Sequence, residues 1–180
     1  MSQPELSFLA PQNFYLQIDS LPEVSFFCQQ VQIPSLTGGE AELPNRYNSG
    51  KTFIPGDGVD YGTLDVTFLV DKKLENYTTV MRWLKGINAP ETQGQWSDYQ
   101  KNENHTKFGQ SMETMTVVCT DASQEPLAEW KFYSAFPVSL DGFSFDSSMP
   151  DIEYMTAVCS FRFHYFEMVT YQNGTIIDKV

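Results

Sequence analysis

Apolar and polar residues alternate with a period of two through most of this chain, and the alternation is longest near the end. From Ile152 to about Met168, one face would carry Met155, Ala157, Cys159, Phe161, Phe163 and Tyr165. The other would carry Thr156, Val158, Ser160, Arg162 and His164. A β-strand puts every second side chain on the same side, which a helix cannot do. At roughly 3.3 Å per residue this strand would be about 50 Å long, more than one compact sheet uses. It is therefore expected to bend or to join two sheets, with a possible exchange of faces at the bend.

The same period recurs upstream. Over 61–70, Leu64, Val66, Phe68 and Val70 fall on one face and Thr63, Asp65 and Thr67 on the other. Val24, Phe26 and Cys28 alternate ahead of 29–33, and Pro34 should stop that strand's ladder. Trp130 and Phe132 alternate with Glu129, Lys131 and Tyr133. One segment has helical period instead: Tyr77, Val80, Met81, Leu84 and Ile87 recur at spacings of three and four. Asp71 suits an N-cap and Glu75 the first turn, while Arg82 and Lys85 suit the last and Gly86 can help end it. The spacing predicts a helix over 72–86.

Two stretches read as long loops. Residues 34–60 hold Gly38-Gly39, Pro44, Gly50, Pro55 and Gly56-Asp57-Gly58. The β-like run Lys51-Thr52-Phe53-Ile54 within them suggests an arm or hairpin. Residues 88–110 are polar, with Pro90, Gly94 and Gly109. Loops of this length are commonly functional or disordered. At 180 residues the whole chain fits one domain.

Charge excludes several functions. With 11 Lys and Arg against 23 Asp and Glu, the net charge is −12. Phosphate-backbone binding needs a basic footprint, and so does adhesion to an anionic membrane. No stretch is long and apolar enough for a spanning helix. The opening Met1-Ser2-Gln3-Pro4-Glu5 is polar and acidic, unlike a signal peptide. Cys28, Cys119 and Cys159 form no CxxC, and each sits in an apolar stretch, so they read as core residues in a reducing compartment.

Catalytic and metal signatures are weak. Gly50-Lys51-Thr52 ends like a phosphate loop, but Asn45 stands where the partner glycine belongs and Pro55-Gly56 follow where a helix should. His105 and His164 are the two histidines, and neither has zinc-ligand spacing around it. No Gly-x-Ser-x-Gly elbow occurs. Asp141, Asp146 and Asp151 are spaced by fives, whereas a calcium loop needs ligands at alternate positions. The sequons at Asn76, Asn104 and Asn173 matter only in a secreted eukaryotic chain. No metal, cofactor or enzymatic activity is expected.

The order of features carries a resemblance. A strand over 13–18 leads to Phe26-Phe27-Cys28-Gln29-Gln30-Val31-Gln32-Ile33-Pro34, then to the polar arm. Leu64-Asp65-Val66-Thr67-Phe68-Leu69-Val70-Asp71 runs straight into the amphipathic helix with Trp83. Later come Phe136-Pro137-Val138-Ser139-Leu140, then Phe143, then the long aromatic strand. Over about residues 11–168 this resembles the tail tube proteins of contractile-tailed, T4-like bacteriophages. The resemblance implies a mainly β fold, a β-sandwich or split barrel with one flanking helix. It further implies homohexameric rings, stacked inside a sheath, whose strands join into one continuous inner barrel that conducts DNA. Sheath, baseplate and tail terminator proteins would be its partners. A baseplate tube initiator and a type VI secretion (Hcp-like) needle subunit share that fold and are the alternatives; a soluble enzyme would instead need a deep pocket of converging titratable groups.

A tube strand turns one face to the core and the other to the channel. Thr63, Asp65, Thr67, Thr156, Ser160, Arg162 and His164 are thus the expected lumen residues, in a hydroxyl-rich, net acidic lining. Arg162 is expected to pair with a neighbouring carboxylate. The arm, with Glu40, Glu42, Arg46, Lys51 and Phe53, is expected to reach a neighbouring subunit.

Overall fold

The computed structural model describes residues 13–18, 24–25, 27–43, 51–88, 112–145, 154–172 and 175–179. The loop expected over 88–110 lies outside them apart from Asn88, as do Arg46, His105, Asp146 and Asp151. The described chain is mainly antiparallel β. Its strands are β1 (Phe14–Ile18), β2 (Cys28–Gln32), β3 (Leu36–Leu43), β4 (Thr52–Tyr61), β5 (Leu64–Leu69), β6 (Glu113–Thr120), β7 (Pro126–Leu140), β8 (Thr156–Arg162), β9 (Tyr165–Gln172) and β10 (Thr175–Lys179). One helix, α1 (Glu75–Asn88), lies between β5 and β6.

Two layers share one strand. The first half of β7 pairs with β6 and β9, in a layer ordered β1-β6-β7-β9-β10. From Phe136 onward β7 pairs with β8 instead, in a layer ordered β7-β8-β5-β2. The switch occurs at Ser134, whose φ of 55° breaks the extended backbone. Opposite it the chain turns at Phe163 and His164, between β8 and β9, and the His164 N–H donates to the Tyr133 carbonyl at 3.0 Å. Strands that pass from one sheet to another do so through such bends and bulges. The single long strand expected over 152–168 is therefore two strands meeting at a corner. Faces exchange there: Phe163 points inward, while His164 and Tyr165 are both exposed and Phe166 packs on the core. Tyr165 thus leaves the apolar set assigned to it.

The core fills the space between the layers. Leu64, Val66 and Phe68 of β5 have no exposed surface, which matches their alternation with half-buried Thr63, Asp65 and Thr67. Leu16, Ile18, Met115, Val117, Phe132, Ala157, Cys159 and Phe161 belong to the same cluster. The helix lays Val80 and Trp83 on it, the Trp83 and Phe161 rings lying 5.8 Å apart. Tyr77 anchors the same face through an edge contact with Phe143 at 4.9 Å.

The helix expected over 72–86 starts three residues later and runs two further. Asp71 does not cap it. Its carboxylate accepts from the Lys73 N–H at 3.0 Å and its carbonyl from the Leu74 N–H at 2.9 Å, closing a turn. The Leu74 carbonyl then takes the first helical bond, from the Thr78 N–H at 2.9 Å. Buried Asn76 holds the junction: its amide donates to the Leu69 carbonyl at 2.7 Å, and its oxygen accepts from the Asp71 and Tyr77 N–H groups. That burial closes the Asn76 sequon to modification. Gly86 does not end the helix, which runs on to Asn88.

Leu74 adopts φ 60°, a left-handed conformation that costs an ordinary L-residue roughly 1–2 kcal/mol. Leu74→Gly should raise stability by about 1 kcal/mol, because the relieved strain exceeds the entropy glycine adds to the unfolded chain. A urea titration that finds it destabilised would show that the half-exposed Leu74 side chain contributes more packing than its backbone costs.

Candidate functional site

Two surfaces stand out, one a polar sheet face and the other a projecting arm. The polar face belongs to the layer β2-β5-β8-β7. Because Leu64, Val66 and Phe68 turn inward, Thr63, Asp65 and Thr67 must turn outward. Register then aligns their neighbours. Asp65 lies between Gln32 of β2 and Ser160 of β8, and Ser160 in turn faces Ser139 of β7. Thr67 lies between Gln30 and Val158, and Thr156 faces Leu69 at the end of the ladder. Arg162 stands opposite Phe136 at the other end, beside the corner that holds exposed His164.

Most of this face is hydroxyl and amide. Its fixed charges are Asp65 and Arg162, one of each sign. One oxygen of Asp65 is buried without a hydrogen-bond partner among the described residues. Arg162 meets no carboxylate among the described residues: its guanidinium donates to the Tyr61 carbonyl at 2.9 Å. Gln30, Gln32 and Ser139 belong to the same face and were absent from the sequence assignment. Their signal is the Gln30-Val31-Gln32 alternation, in which Val31 packs on the core.

The arm is the β3–β4 hairpin. These strands pair only with each other, over eight and ten residues, and every one of them except Tyr61 is exposed. Pairing extends far beyond the short run that marked a strand in the sequence. Glu40 and Glu42 share a face with Phe53, which stands opposite Glu42. Lys51 binds Glu42 at 3.1 Å and continues into a strand, so it has no phosphate-loop geometry. Midway the register shifts, where Gly38 and Gly39 meet Gly56-Asp57-Gly58. A Cβ on Gly56 would lie 2.9 Å from the Gly39 backbone, so only glycine lets the strands close there.

The opposite layer offers an open groove over Tyr15, Gln17, Thr116, Glu129 and Lys131. Its titratable groups serve the sheet. Glu129 accepts from the Tyr171 hydroxyl at 2.7 Å. Lys179 and Tyr133 both donate to Glu167, which holds that carboxyl below its usual range and raises both donors. Thiol chemistry is suppressed. Burial pushes Cys28 up to about 11, and burial with the charges of Asp65 and Asp141 pushes Cys159 further still. The described residues hold no group of three or more His, Cys, Asp or Glu placed for a metal.

A family model described as phage tail tube protein matches residues 5–168 and ends inside β9. Among curated proteins, none matches the chain in sequence. Its fold is similar to a chain of the anti-feeding prophage tube-terminating cap, with 13% identity over 95% of this chain and 97% of the other and a TM-score of 0.65. A chain of the six-fold symmetrised anti-feeding prophage baseplate shares 14% identity over 94% and 98%, with a TM-score of 0.61. One from the sheath–tube complex of an extracellular contractile injection system shares 15% identity over 92% and 94%, with a TM-score of 0.54.

Proposed function

The chain belongs to the phage tail tube protein family and is a structural subunit of a virion tail; from that premise we propose that six copies close into a ring whose β2-β5-β8-β7 layers line the channel. Rings stack through the β3–β4 arm, with Glu40, Glu42, Lys51 and Phe53 at the contact. DNA passes through without specific binding, and sheath, baseplate and tail terminator proteins are the outer partners. The role is mechanical and involves no catalytic step, cofactor or metal.

One observation carries this reading. The four-stranded layer is apolar inward and hydroxyl-rich outward, as a wall strand between core and channel must be. Among the described residues its edges at β2 and along the end of β7 are unpaired, and such edges invite pairing unless a neighbour covers them. Closing the sheet around a ring removes those edges. The fold shared with a six-fold symmetrised assembly supports the same count.

Thr63, Asp65, Thr67, Thr156, Ser160, Arg162 and His164 then face the lumen. The net charge of −12 lies largely elsewhere, because Asp65 and Arg162 balance on this face. Sliding DNA meets hydroxyls and amides that stay wet, and Arg162 is already held by a carbonyl. A positive lining would instead trap phosphates by releasing their counterions. Asp65→Lys should therefore leave ring assembly intact and slow DNA ejection, most strongly at low salt. Electron microscopy of the purified chain should show six-fold rings or tubes. Wild-type ejection rates for the lysine variant in low salt would remove β5 from the channel wall, and a strictly monomeric wild-type chain would remove the ring.

A further inference from the structure

Positive charge is concentrated on α1 and the turn that leads into it. Of the 11 Lys and Arg, four lie within 72–88, namely Lys72, Lys73, Arg82 and Lys85, against Glu75 as the one acid. Arg82 and Lys85 are exposed and stand one turn apart on α1, on the side away from Val80 and Trp83. Lys72 and Lys73 precede the helix N-terminus, where the dipole is positive and acids are the stabilising choice. Helix stability therefore gives no reason for them. Lys73 reaches Glu75 at 3.6 Å, and Lys72, Arg82 and Lys85 have no ion-pair partner among the described residues.

The arm has the opposite character. Its strands carry Glu40, Glu42, Asp57 and Asp60, with Lys51 beside them as the one described base. Lys51 occupies Glu42, which leaves Glu40, Asp57 and Asp60 without an ion pair among the described residues. The arm also exposes Leu43, Phe53 and Ile54, at 45%, 54% and 41%. A two-stranded ribbon in water is marginal by itself and needs a surface to rest on. Among the described residues it pairs with no other strand of its own chain.

We propose that the acidic arm of one copy seats on the basic outward face of α1 in another copy, with Arg82 and Lys85 as the central contacts and Lys72 and Lys73 at the rim. This rests on the reading of the β3–β4 hairpin as the assembly arm, and it assigns that arm a receptor. Each copy offers one arm and one helix, so the contact is heterologous and can close into a ring or propagate along a stack. Copies that each carry −12 repel one another, and this contact joins the sites where their signs differ. Opposite-charge docking also fixes which way the arm lies.

The test uses the full chain, with sedimentation velocity and electron microscopy reading the concentration at which rings or tubes form. Arg82→Glu with Lys85→Glu should raise that concentration tenfold or more, as should Glu40→Lys with Asp60→Lys. Combining all four changes should bring it back to within about threefold of wild type, because opposite charges again face each other. Wild-type assembly should weaken as salt rises from about 0.05 to 0.5 M. All four positions are exposed, and circular dichroism checks the fold. If the reversed helix unfolds, Arg82→Gln with Lys85→Gln should still raise the threshold. Normal assembly of the folded helix variants, or no recovery in the combined chain, overturns the proposal. Loss of tubes on arm deletion together with normal assembly of the helix variants leaves the arm reading standing and removes its receptor. A wild-type chain that forms no rings removes the arm reading itself.

Discussion

A chain whose residues 38–58 are replaced by a short Asn-Gly turn is expected to fold normally and to form no stacked rings. The deleted strands contribute no residue to the core, and Tyr61, which packs against it, remains. Thr37 and Asp60 are already paired, so Asn-Gly with Val59 makes a three-residue turn between them without pulling on β2 or β5. Stability should stay within about 0.5 kcal/mol of the intact chain, as for changes away from packed or strained sites. Assembly should fall from complete to undetectable if stacking uses the apolar and acidic surface that has gone, as proposed. Urea unfolding and electron microscopy of the same sample separate the two effects. Normal tubes from the shortened chain would reduce the arm to a surface loop.

The largest effect on stability is expected for Phe132→Ala. Phe132 is fully buried at the centre of β7 and packs against Phe163 and Phe166, with ring centres 5.0 and 5.4 Å away. Phe163 sits in the corner between β8 and β9, and Phe166 lies just past it in β9. Truncation removes a large side chain where both layers meet, and the rigid corner limits how far the cavity can close. A loss of about 3–5 kcal/mol is expected, a large share of the 5–15 kcal/mol that holds an ordinary domain folded. Ser139→Ala, exposed on β7, should change stability by less than about 0.5 kcal/mol. A loss below about 1 kcal/mol for Phe132→Ala would place the principal core elsewhere.

Some of this architecture was legible in the chain and some was not, for physical reasons. The alternation of β5 was readable from Leu64 to Phe68, because one buried face and one polar face impose it, although the strand is shorter at both ends than the 61–70 read from the sequence. The helix was readable by its spacing, but its first turn was not. Asp71 looks like a cap in any sequence window, and only the three-dimensional junction shows its carboxylate spent on Lys73 and its place taken by a left-handed Leu74. The corner at Phe163 and His164 was expected only as a bend of unknown position. Its place is set by Ser134 on the facing strand, some thirty residues away in sequence. The arm's strands were concealed by their glycines and acids, which have low intrinsic preference for β structure; they are strands because they face each other. Arg162 was assigned a carboxylate because side-chain partners leave a trace in sequence, while a backbone carbonyl such as that of Tyr61 leaves none.

The path of β7 through both layers has a mechanical consequence. A sandwich whose sheets touch only through side chains can slip, since dispersion contacts resist sliding weakly. Here a pull on the β8 side of β7 travels along peptide bonds into the β6 and β9 ladders. Those ladders are loaded lengthwise, so their hydrogen bonds must yield together and cannot open one by one from an end. A tube built from such subunits would resist shear between its inner and outer skins. Its weakest direction would lie between subunits, where no covalent strand crosses.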